Sequence, residues 1–91
     1  MFVVIAYDIS DDRRRTRICE ALKSYGQRVQ YSVFECDLSK MAYVRLRARL
    51  DKEICAAEGD SVRFYFLCEG CGNRVERIGG PRPLDDCAEF V

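Results

Sequence analysis

Asp8 closes the apolar run Phe2 to Tyr7 and stands directly before Ser10-Asp11-Asp12, a stretch with the signature of a helix start. A carboxylate at the carboxyl end of a central strand, ahead of a helix N-terminus, sits where open sheets gather functional groups. It could ligate a hard cation or serve only to cap the helix, and position alone does not separate the two. Arg13, Arg14, Arg15 and Arg17 follow, four positive charges in five residues on the first turns of a helix whose own end is positive. Such crowding calls for an anion. Asp8, Asp11 and Asp12 could supply it as a local ion-pair cluster, and a bound phosphate accounts for the arrangement equally well. By helical spacing Arg15 falls on the stripe of Ile18 and leans toward Asp8.

The chain has no histidine, which excludes an imidazole acid-base pair, and it has neither a P-loop nor a Gly-rich dinucleotide fingerprint. Catalysis would then need a metal. One acidic residue at a strand end is too few for a hard cation such as magnesium, which takes two or more carboxylates in a nuclease. A twofold dimer placing Asp8 beside its copy supplies the second. Of the six cysteines, Cys68 and Cys71 form a CxxC, half of a four-ligand zinc site whose remainder would have to come from Cys19, Cys36, Cys55, Cys87 or another subunit. Glu69-Gly70 between them and Gly72-Asn73 after them read as a turn, so the pair is expected to be two inert thiols. No basic residue precedes the first apolar run, which does not read as an export signal, and the cysteines are expected to be thiols in the cytoplasm.

The elements that would position these groups follow from periodicity. Phe2 to Tyr7 is continuously apolar and β-branched, as in a central strand covered on both faces. Ser10 is expected to cap a helix in which Ile18, Leu22 and Tyr25 repeat before Gly26. Arg28 to Asp37 alternates, with Val29, Tyr31 and Val33 against Ser32, Phe34 and Cys36, and makes one long strand or two short ones divided near Gln30. Ser39 begins a second helix whose apolar stripe, Tyr43, Leu46, Leu50, Ile54 and Ala57, opposes Arg45, Arg49 and Lys52. Gly59 and Asp60 close it. Val62 to Leu67 and Val75 to Ile78 read as strands. The order is α+β, and if the middle segment divides it is the ferredoxin-like βαββαβ plan with an extra C-terminal strand. Residues 1–79 form this domain, and 80–91 a tail.

With 91 residues, 48% hydrophobic and 33% charged, the chain is neither disordered nor large enough for a second core, and no apolar run reaches the roughly 18 residues of a membrane helix. Its 15 bases balance its 15 acids, yet the last nine residues hold Asp85, Asp86 and Glu89 and no base. The body is therefore basic and the tail acidic. Twelve of the bases are arginine, the residue suited to bidentate phosphate contacts and also to surface ion pairs.

Three segments resemble one known family in order: Tyr7-Asp8-Ile9-Ser10-Asp11-Asp12, Arg28-Val29-Gln30-Tyr31-Ser32-Val33-Phe34-Glu35, and Ser61-Val62-Arg63-Phe64-Tyr65. The chain is similar to CRISPR-associated protein two, the small subunit of the spacer-acquisition machinery, from about Phe2 to Gly79. The resemblance implies a ferredoxin-like homodimer in which two copies of Asp8 face each other across the symmetry axis and bind magnesium. It implies a metal-dependent endonuclease acting on RNA or DNA in antiviral defence. It equally implies a non-enzymatic role, a dimeric DNA-binding scaffold beside the integrase partner, CRISPR-associated protein one. By motif position Tyr7 and Asp8 would be the active-site pair and Phe34 a residue near the cleft. Arg15, Arg17 and Arg28 would face phosphate, joined on charge clustering by Arg13 and Arg14. The CxxC and the acidic tail inherit no role. Protein purified without chelator is expected to contain no stoichiometric zinc by elemental analysis, whereas near-stoichiometric zinc surviving dialysis would put distant cysteines into one site with Cys68 and Cys71.

Overall fold

The computed structural model describes residues 1–67 and 75–79. The first strand, β1 (Phe2–Asp8), buries Val3, Ile5 and Tyr7 on one face and leaves Phe2, Val4 and Ala6 half-buried on the other. The run is apolar throughout, but within one chain it is covered on one side only. Both helices pack on the side of Val3 and Ile5, joining them in a single core with Ile18, Leu22, Phe34, Leu46 and Leu50.

Helix α1 (Asp12–Lys23) is capped by Asp11, whose carboxylate accepts from the Arg14 backbone N–H at 2.9 Å, and not by Ser10. Ser10 is drawn away instead by the carboxylate of Asp60, to which its backbone N–H and hydroxyl both donate. The helix ends at Ser24, leaving Gly26 to begin the next strand.

The alternating middle segment does divide, into β2 (Gly26–Gln30) and β3 (Val33–Asp37), joined by Tyr31 and Ser32 with a bulge between Arg28 and Gln30. Two-residue hairpin turns ordinarily use positive φ, supplied by Gly or Asn. Among the described residues only Gly59 and Gly79 have positive φ. This turn is held by tertiary bonds: the Tyr31 carbonyl accepts from Tyr7 Oη at 3.1 Å and from Arg28 Nε and Nη2 at 3.0 and 2.7 Å, while the Ser32 carbonyl accepts from the Tyr7 backbone N–H at 3.0 Å. The break therefore carries no local turn signature.

Helix α2 (Lys40–Glu53) starts at Ser39, whose hydroxyl accepts from the Ala42 N–H at 3.1 Å. Its stripe is shorter than the periodicity suggests, because Ile54 is already the cap and Ala56–Glu58 form a single 3-10 turn. Gly59, at φ 87°, reverses the chain into β4 (Ser61–Leu67). The sheet runs β2-β3-β1-β4, each neighbour antiparallel, which is the ferredoxin-like βαββαβ arrangement. Val4 lies between Glu35 and Tyr65, and Asp8 faces Ser61.

Residues 75–79 form no strand. They lie near Val29, Gln30 and Glu35, but Val75 and Ile78 stay exposed, so the apolar alternation there finds no partner to cover it within one chain. The CxxC and the acidic tail fall outside the described residues. Cys36 and Cys55 are free thiols as expected, whereas Cys19 is disulfide-bonded.

At the start of β2, Gly26 lies against Cys36, and a Cβ there would collide with Cys36 Sγ and the Glu35 carbonyl. The backbone atom cannot yield without disturbing the β2-β3 ladder. Gly26→Ala is expected to lose about 1–3 kcal/mol of stability, measured as a lower midpoint in urea unfolding.

Candidate active site

By strand alternation Asp8 shares the uncovered face of the sheet with Ala6 and Val4. Its carboxylate is exposed and has no hydrogen-bond or ion-pair partner among the described residues. Ala6, Asp8, Ser61, Arg63 and Tyr65 border an open depression at this end of the sheet. A free, hydrated carboxylate beside a cationic side chain is a donor that a hard cation accepts. Among the described residues, however, no group of three or more His, Cys, Asp or Glu comes together, so a single chain offers this one ligand.

Tyr7 points to the opposite face. It is 5% exposed, its ring lies 6.3 Å from that of Phe34, and its hydroxyl donates to Tyr31. Burial pushes the phenol pKa up against the pull of Arg28 and Arg15, so the group stays protonated and acts as a donor. Phe34 is fully buried in the core. Arg28 is 4% exposed and gives its guanidinium to the same Tyr31 carbonyl. Tyr7, Arg28 and Phe34 thus converge beneath the end of β1, on the side away from the Asp8 carboxylate.

The arginine run divides by partner. Arg14 is held between Asp60, at 2.7 Å from Nε, and Glu58, at 3.1 Å from Nη1. Arg15 pairs with Asp12 and donates to the Ile9 carbonyl at 3.4 Å. Arg17 reaches Glu53 of α2 at 2.7 Å in a pair open to solvent. Arg13 is exposed and has no partner among the described residues. The crowding at the helix start is therefore relieved chiefly by carboxylates from the end of α2 and the turn before β4.

Asp60 is the residue the sequence pattern undervalued, since it reads there only as a helix terminator. Its buried carboxylate also accepts from the Cys55 backbone N–H at 2.9 Å. Arg14 and these N–H donors hold its carboxyl well below the usual carboxylate range, and Arg14 is raised in turn. The register carried the missing signal: once Asp8 pairs with Ser61, Asp60 must lie beside Ser10 and the first turn of α1.

This topology, with a solvent-facing carboxylate at the end of β1 and arginines at the adjoining helix start, defines a small ferredoxin-like protein equipped for phosphate chemistry at one end of its sheet. The chain belongs to the family of CRISPR associated protein Cas2, whose model matches residues 1–75. It is 52% identical over 84 residues to the CRISPR-associated endoribonuclease Cas2 1 of Chloroflexus aurantiacus, covering 91% of this chain and 90% of the relative. With the CRISPR-associated endoribonuclease Cas2 of Thermus thermophilus it shares 41% identity, covering 100% of this chain and 97% of the relative. The crystal structure of Streptococcus pyogenes Cas2 superposes with a TM-score of 0.73 at 38% identity, covering 87% of this chain and 100% of that one. A hypothetical protein from Thermus thermophilus gives a TM-score of 0.77 at 40% identity over 91% of this chain and 96% of that one. No helix among the described residues is long and apolar enough to cross a membrane.

Because the folded pKa of Asp60 is depressed, its contribution to stability is complete above its unfolded pKa of about 4 and is lost as pH falls below that value. Thermal unfolding of the parent protein between about pH 5 and pH 2 should show a steeper loss of melting temperature than Asp60→Asn, which should already melt lower at pH 7.

Proposed function

We propose that this chain is a metal-dependent endonuclease that hydrolyses phosphodiester bonds in RNA or DNA during spacer acquisition in antiviral defence, and that it works as a homodimer with two copies of Asp8 side by side. The observation that carries the reading is Asp8 itself, an exposed and unpaired carboxylate on the one sheet face the helices leave open. Phe2, Val4, Ala6 and Val33 are only half-buried on that face, and Tyr65 is 47% exposed. A second copy laid against it would bury apolar surface that a 91-residue core cannot cover, and would bring the two carboxylates toward one axis. The relatives named as endoribonucleases support the activity.

The donor chemistry fits magnesium, with Asp8 from each chain as protein ligands; when bound, it would neutralise phosphate charge and acidify an attacking water. The chain's own residues do the rest. Arg13 and Arg17, at the open side of α1, hold substrate phosphates, with Arg14 and Arg15 setting the positive end of the helix behind them. Tyr7 and Arg28 fix the β2-β3 turn and with it the end of β1, so Asp8 is held on a rigid strand. The protein acts in the cytoplasm, where CRISPR-associated protein one is its integrase partner. A second reading, a non-enzymatic DNA-binding scaffold for that partner, draws on the single ligand per chain and on the pairing of Arg14, Arg15 and Arg17 with carboxylates.

Asp8→Asn separates the two readings. Cleavage of labelled RNA and duplex DNA with magnesium should fall to background, because a neutral amide is a poor ligand for a hard cation. Binding should persist and weaken with salt by about 0.9 log units per log unit for each duplex phosphate neutralised. Sedimentation should report twice 10.5 kDa for both proteins, with the variant dimer as stable or slightly more so without metal, since two like charges are removed. Cleavage by Asp8→Asn at the parent rate would leave the scaffold reading as the better account.

A further inference from the structure

The outward face of α2 is the most strongly charged surface that the proposed site does not use. Its buried side is formed by Leu46 and Leu50, with Tyr43 set edge-on to Phe64 and Phe66 at 5.7 and 5.3 Å. Turned away from these, at helical spacing, are Met41, Val44 and Ala48 interleaved with Arg45, Arg49 and Lys52. Met41 is 64% exposed and Val44 58%. Arg49 and Lys52 have no partner among the described residues, and Arg45 reaches only the Met41 sulfur at 3.5 Å. The helix's two acids are committed elsewhere: Asp51 lies 3.8 Å from Arg47, and Glu53 belongs to Arg17. The face therefore combines uncompensated positive charge with exposed apolar side chains. Phosphate alone would satisfy the first and leave the second in water.

We infer that this face is the docking surface for the chain's own C-terminal segment, residues 84–90. That segment, Leu84-Asp85-Asp86-Cys87-Ala88-Glu89-Phe90, carries three acids and no base among apolar residues, the complement in both charge and hydropathy. It holds the acids that make an otherwise basic chain neutral. From Gly79 to Glu89 an extended chain covers about 33 Å, more than the 20 Å thickness of the molecule, so the segment can pass from the β2 side to the helix layer. Docking there pairs Arg45, Arg49 and Lys52 with Asp85, Asp86 and Glu89 and sets Leu84 or Phe90 against Met41 and Val44. It also neutralises a surface that would otherwise attract nucleic acid without regard to sequence.

Hydrogen exchange of the full-length protein tests this directly. At low salt, amides of residues 84–90 should exchange at least about tenfold more slowly than in the free peptide of the same sequence, with the protection lost at high salt. Arg45→Glu with Arg49→Glu should abolish the protection, and adding Asp85→Lys with Asp86→Lys should restore it. The tail-only variant Asp85→Asn, Asp86→Asn, Glu89→Gln, which alters no core residue, should lose protection without changing the melting temperature of the body. Free-peptide exchange rates in the parent protein, or protection indifferent to charge reversal on α2, would overturn the inference. A reversal that weakens duplex DNA binding while leaving tail exchange unchanged would overturn it too, and would make the face a nucleic-acid surface instead.

Discussion

The Tyr31 carbonyl accepts three hydrogen bonds from two buried side chains, one from Tyr7 on β1 and two from Arg28 on β2. A carbonyl has two lone pairs, so this acceptor is saturated, and the donors would each be costly to leave unmet at their depth. The bonds fix a turn that its own residues do not favour. Because Tyr7 belongs to the central strand, they also lock the β2-β3 hairpin to the end of β1. The position of Asp8, one residue on, depends on that lock. Phe34 completes it by packing beside the Tyr7 ring, so three residues of the candidate site act from beneath the sheet.

A second constraint fixes the other side of the same end. The buried carboxylate of Asp60 gathers Ser10, Arg14 and the Cys55 N–H, which ties the start of α1 to the turn leading into β4. An unpaired buried carboxylate would be expensive, and Arg14 with the backbone donors offsets that expense. Most of the arginine run is therefore structural in its immediate contacts. Only Arg13 and the solvent-facing pair of Arg17 keep charge directly available at the surface.

Much of the architecture was legible in the chain because local rules and the global fold agree. Ser39 caps α2 as its type and position suggest, Gly59 supplies the positive φ that ends the helical segment, and β1 and β4 follow from their β-branched and aromatic content. Where reading failed, distant residues had overridden local chemistry. Ser10 is a good cap in isolation and loses the role because Asp60, fifty residues away, offers it a better acceptor. The Tyr31-Ser32 turn has no signature because its stabilisation comes from β1. Val75 to Ile78 alternates like a strand, yet alternation specifies only a face and not the neighbour that must cover it. Asp8 stood out in the sequence because a carboxylate closing an apolar run is unusual, whereas the depth of Tyr7, Arg28 and Phe34 depends on packing that no window of residues reports.

The placement of β1 between β3 and β4 has a kinetic consequence. The first strand to leave the ribosome is central, and its second neighbour is the last strand of the sheet, some sixty residues later in the chain. Closing that loop costs entropy before any of the β1-β4 bonds form. Until then the edge of β1 that ends at Asp8 is unpaired, Asp60 is not yet beside Ser10, and the first turn of α1 has no acidic seat for Arg14. The order of assembly runs from the β1-β3 hairpin region outward, and the end of the sheet carrying Asp8 is completed last, as a product of folding rather than a template for it.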